Sequence, residues 1–109
     1  MVNIIIGNKK YKLKQNVPKK VGREKEGYEI LVNNQKTGVE NVLVPIIKDK
    51  YPYEFEKISK TQVTLKINHT DNPVVLNGQQ LNLNGRKKLI DDDSEFITGD
   101  FKINILIAD

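Results

Sequence analysis

The sequence predicts an all-β fold, a sandwich or barrel of many short, mostly antiparallel strands, and three observations carry that prediction. Apolar residues alternate with polar ones: Phe101, Ile103, Ile105 and Ile107 share one strand face, and Val63, Leu65 and Ile67 share another. Turn-forming pairs cut the chain at short intervals, and Asn77-Gly78 and Asn84-Gly85 suit the positive dihedrals of tight hairpin turns. Apolar residues at helical spacing are nearly absent.

In chain order, strand-like runs fall at Val2–Ile6, 11–13, Glu29–Val32, 42–47, 53–58, Val63–Ile67, Val74–Leu76, Phe96 with Ile97, and Phe101–Ile107. Gly7-Asn8, Glu26-Gly27, Asn33-Asn34, Asn77-Gly78, Asn84-Gly85 and Gly99-Asp100 separate them. Strands this short, at this spacing, indicate a sandwich or barrel. The run 42–47 differs, because both of its faces are apolar and Pro45 interrupts it. Proline cannot donate to a ladder, so this run belongs at an edge or a bulge; Leu43 and Ile47 either lie in a strand buried on both sides or face outward, covered by a loop of the chain or by another subunit. Leu106, on the otherwise polar face of the last strand, is a similar contact candidate.

A chain of 109 residues with 38% hydrophobic content builds one domain, residues 1–109, around one modest core. With no cysteine there is no disulfide framework or thiolate metal site, and a single histidine leaves the common zinc and acid/base constellations unbuilt. Val2–Ile6 is too short for a signal-peptide core and is followed by lysines, so neither export nor membrane insertion is supported. The net charge of +4, from 18 basic against 14 acidic residues, names no nucleic-acid partner. Lys19, Lys20, Lys25 and Arg86-Lys87-Lys88 could hold a duplex, but at 6% aromatics the chain lacks the stacking platform of single-strand binders, so direct nucleic-acid binding is not expected. Residues 91–93, all aspartate, lack the alternating ligands, glycine and distant glutamate of a calcium loop and fit a turn before Phe96. No nucleophile, base and orienting acid occur at a suggestive spacing, so no catalytic residue, metal or cofactor is expected.

Taken in order, Val21-Gly22-Arg23, Glu29-Ile30, Thr70-Asp71-Asn72-Pro73-Val74, Leu76-Asn77-Gly78, Leu89 with the aspartates 91–93, and the closing strand resemble the forkhead-associated (FHA) domain. That family carries Gly-Arg at the start of its binding loops, then an S-x-N-G-T-x-V-N-G-like segment, an acidic turn and a last apolar strand. The resemblance implies an FHA-type β-sandwich that recognises phosphothreonine peptides without catalysis.

It also places the pocket, and the pocket departs from the pattern. A phosphothreonine brings nearly two negative charges and three acceptor oxygens, so its site needs a guanidinium fork, hydroxyls and backbone N–H groups. Arg23 can supply the fork. Gly38 falls where the family has a serine and offers no hydroxyl, leaving Thr37 and Thr70 as substitutes; Asn41 falls where the family has a structural histidine. Asn72 is retained, in the place where the family grips the ligand backbone. Asp71 puts a carboxylate where a hydroxyl or amide is wanted, and two like charges about 4 Å apart repel by roughly 4 kcal/mol at an effective dielectric near 20.

The resemblance therefore implies a protein-interaction module with a degraded phosphothreonine pocket. It is similar to the N-terminal FHA domains of checkpoint-mediator scaffolds of the DNA-damage response, which implies a nuclear location and a homodimer through Leu43, Ile47 and Leu106. The chain is expected to be the N-terminal domain of a longer protein. An active phosphothreonine reader is the alternative.

Overall fold

The computed structural model describes residues 1–23, 28–40, 51–68, 73–83, 85–99 and 101–107. Among them are twelve strands: β1 (Val2–Ile6), β2 (Lys9–Lys12), β3 (Lys19–Arg23), β4 (Glu29–Val32), β5 (Gln35–Glu40), β6 (Tyr53–Lys57), β7 (Val63–Ile67), β8 (Val74–Leu76), β9 (Gln79–Gln80), β10 (Lys87–Ile90), β11 (Ser94–Thr98) and β12 (Phe101–Ile107). They form two six-stranded sheets, one in the order β2-β1-β12-β11-β8-β9 and the other β10-β7-β6-β3-β4-β5. All of the strand pairings are antiparallel. The first strand pairs with the last, from Val2 opposite Ile107 to Ile6 opposite Ile103.

The core lies between the sheets and follows the period of two. Val2, Ile4 and Ile6 of β1 meet Val63, Leu65 and Ile67 of β7, with Ile103 and Ile105 of β12, in one buried cluster. At its centre Phe96 packs edge-on against both Tyr53 and Phe55, with ring centroids 5.1 and 5.7 Å away. Burying Tyr53 requires a partner for its hydroxyl, and Thr98 provides one across the sheets at 2.8 Å.

Hairpin chemistry sets the registers. Asn33 and Asn34 have φ of 47° and 69°, and Asn77 and Gly78 have 50° and 82°. Each pair is a two-residue loop, closing Val32 onto Gln35 and Leu76 onto Gln79. Gly7 turns β1 into β2 with φ of 61°, and a Cβ there would stand 2.9 Å from the Val39 side chain, so close packing as well as conformation selects glycine.

Where strands differ from the alternation, exposure explains it. The run expected at 11–13 is β2 at Lys9–Lys12, with Leu13 just beyond it and buried in the core. Strands β5, β9 and β10 carry no apolar alternation, because each closes one end of a sheet and faces solvent along most of its length. The run 42–47 lies outside the described residues. The aspartates 91–93 form a turn: Asp92 Oδ1 accepts the N–H groups of Asp93 (2.9 Å) and Ile107 (2.7 Å), and Asp93 has φ of 60°.

Candidate functional site

Arg23 ends β3 at the end of the sandwich opposite the aspartate turn. In an antiparallel pair, residues opposite each other share a face, and Arg23 stands opposite Ile30, which is fully buried in the core. The arginine stem therefore enters the space between the sheets at its mouth, leaving the residue only 7% exposed. Its guanidinium carbon lies 5.4 Å from the ring centroid of Tyr28, a cation–π contact on an aromatic that is itself 65% exposed. Among the described residues the buried Nε has no hydrogen-bond partner and no carboxylate pairs with the guanidinium. Burying a cation without a counter-charge is costly, and one ring face offsets only about 1–2 kcal/mol of it.

Thr37 and Gly38 belong to a bulge in the neighbouring hairpin. Leu31 pairs with Lys36, but the next pairing joins Glu29 to Glu40, so Thr37, Gly38 and Val39 together face Ile30 alone. Gly38 takes φ of 77° to make this possible. The bulge satisfies itself internally. Thr37 is buried, and its hydroxyl donates to the Ile30 carbonyl (2.8 Å) while accepting the Val39 N–H (3.2 Å). The Gly38 N–H donates to Glu29 Oε2 at 2.9 Å. Three groups that could have met an anion, a hydroxyl and two amides, are committed to the protein, and one of them already holds a carboxylate.

Among the sequence-predicted site residues, the structure thus places Arg23 at the sandwich mouth and Thr37 and Gly38 on the bulge of the adjoining hairpin. Asn41, Thr70, Asp71 and Asn72 lie outside the described residues, as do Leu43 and Ile47. Leu106 is half-buried on the outer face of β12, opposite Asn3. Sequence reasoning missed Glu29 and Tyr28 as members of the site. The Glu29 contact had a signal: a two-residue Asn33-Asn34 loop brings residue 29 level with residue 38 if pairing continues without a slip. Tyr28 had none, since an aromatic beside a loop reads equally well as core.

At the opposite end, the polar side chains are also committed. Asn77 Oδ1 accepts the Glu95 N–H at 2.8 Å and its Nδ2 donates to Ser94 Oγ at 3.2 Å, while Ser94 donates to the Asp91 carbonyl at 2.7 Å. These bonds tie the β8–β9 hairpin to the turn that leads into β11.

No family model and no curated protein sequence matches the chain. Among solved structures, it is similar to the FHA domain of FhaA, crystallised in complex with the intracellular domain of Rv3910. That likeness has a TM-score of 0.65, covers 96% of this chain and 99% of that one, and comes with 12% sequence identity. At this identity the likeness speaks for the fold and not for a subgroup such as the checkpoint mediators. The chain folds as an FHA-type sandwich of two six-stranded antiparallel sheets.

Proposed function

We propose that this chain is a non-catalytic protein-interaction module that assembles with a second copy of itself, and that its loop end no longer holds phosphothreonine. The observation that carries the reading is the Glu29 carboxylate on the Gly38 N–H. An incoming phosphate would have to displace a like-charged group that the chain already provides, and then find the Thr37 hydroxyl turned inward to Ile30. The FhaA domain, crystallised with a protein partner's intracellular domain, supports protein docking as a use of this fold. The sequence resemblance is what supports a nuclear checkpoint setting.

One observation favours the second reading, an active phosphothreonine reader: the nine-tenths buried Arg23 has an unpartnered Nε and no described counter-charge. Calorimetric titration with a degenerate phosphothreonine peptide library separates the two. No saturable heat is expected; micromolar binding that Arg23→Ala abolishes would sink the first reading and establish the second.

A further inference from the structure

Strand β10 closes one end of its sheet and, among the described residues, is paired on one side only, with β7. Its other edge has no ladder partner among the described residues, and an unpaired edge is the usual template for adding a strand. Ile90 is buried and Leu89 is 56% exposed, so alternation puts Lys88 and Ile90 on the inner face and Lys87, Leu89 and Asp91 together on the outer one. An exposed leucine at the middle of an open edge is what sheet proteins ordinarily avoid. Two clefts, of about 310 and 190 Å³, border Leu89 and Asp91, the smaller lying between β10 and the β8–β9 hairpin at Asn77, Gln79 and Leu81.

The order of charge around Leu89 is self-complementary. Arg86, Lys87 and Lys88 precede it; Asp91 and Asp92 follow the intervening Ile90. We infer that two copies of the chain join β10 to β10 in antiparallel fashion about a two-fold axis at Leu89, making one continuous sheet across the dimer. This inference rests on the self-assembly part of the proposed function and names the surface that performs it. In that register Leu89 faces Leu89 of the second copy, Lys87 faces Asp91 of the second copy, and Asp91 faces its Lys87, all on the outer face. Opposite charges directly across a strand pair are favourable and like charges are not. Parallel pairing in register would set lysine on lysine and aspartate on aspartate, and a slip of one residue would break the Leu89 contact. The charge order therefore selects both direction and register, and the two-fold makes the interface isologous and closed. Lys87 gives up little to join it, since its contact with Glu56 is a 3.7 Å pair with the lysine side chain 56% exposed.

Sedimentation velocity from low to high micromolar concentration, on the wild-type chain and four variants, tests the strand pairing. Leu89→Asp should be monomeric. Lys87→Asp and Asp91→Lys should each weaken association about tenfold or more, turning two attractions into repulsions. The double swap Lys87→Asp/Asp91→Lys should return it to within about threefold of wild type, because the pairs are rebuilt with their signs exchanged. The swap does not rebuild the Glu56 contact, so recovery cannot come from monomer stability. A dimer that ignores Leu89→Asp, or a double swap no better than its singles, overturns the β10 interface while leaving self-assembly standing. A wild-type monomer at the highest concentration overturns self-assembly and the interface with it; the peptide titration still decides the pocket.

Discussion

The two ends of this sandwich handle polar side chains in opposite ways. At the aspartate-turn end, Asn77, Ser94 and Asp92 each bind backbone or one another, and their bonds link hairpins distant in sequence. At the mouth, Glu29 and Thr37 are also committed, but only within one hairpin, while Arg23 enters the gap between the sheets with its Nε unpartnered. The first arrangement is a closed structural account. Among the described residues the second is closed except for one buried cation, so the mouth is where an anionic group can still be accepted, and where the described structure carries a cost that the other end does not.

The largest effect expected from testing this contrast is at the closed end. Asn77→Ala removes two side-chain hydrogen bonds and forces alanine into a left-handed turn position, so urea denaturation should show a loss of about 2–3 kcal/mol. A loss below about half a kcal/mol would mean that this network is not what holds the turn. Gly38→Ala comes next. A Cβ there meets nothing within 4 Å, so the cost is the backbone's alone, about 1–2 kcal/mol at φ of 77°.

Arg23→Met should move the other way. It keeps the buried stem and removes the cation, so without a bound anion the chain should gain about 1 kcal/mol in the same assay. A clear loss instead would show that the guanidinium is held by groups beyond those described, and the contrast between the ends would weaken. The smallest effect is at Lys19, whose ammonium is held below its ordinary range first by burial and then by the charge of Lys14. A lysine with a lowered folded pKa binds fewer protons when folded. Its destabilisation is present in full below that pKa and fades as pH rises towards the unfolded value of 10.5. Lys19→Met should therefore raise the melting temperature slightly at neutral pH, by an amount that solvent screening of this partly exposed ammonium keeps small, and the advantage should shrink in alkaline buffer.

The interior of the fold was legible because burial writes a period of two into sequence. β1, β7 and β12 alternate so plainly that their inward residues, among them Ile4, Leu65 and Ile103, follow from the pattern alone. β5 and β10 could not, because an edge strand has solvent on more sides and its residues need not alternate. β3 was hidden for a related reason: Val21 is its one apolar residue, and Gly22 and Arg23 belong to the site more than to the sheet. Within the site, the sequence offered Arg23 and Gly38 by position in a familiar order. Beyond setting residue 29 level with residue 38 in an unslipped ladder, it did not offer the turning inward of Thr37, which depends on the slip in register between Leu31 and Glu29. A bulge is a property of two strands together, and no single stretch announces it.

The pairing of β1 with β12 also has a consequence in time. Val2 finds its partner at Ile107, so the first strand made must wait for the last before either is buried on both sides. Contacts this distant along the chain place the fold among slow-folding β topologies, about milliseconds to seconds rather than microseconds. Until then, the face of β1 carrying Ile4 and Ile6 is open apolar surface, and β2, with lysines at positions 9, 10 and 12, is the neighbour that can cover its edge from the start. Those lysines, which name no ligand, guard the half-made sheet against the wrong strand.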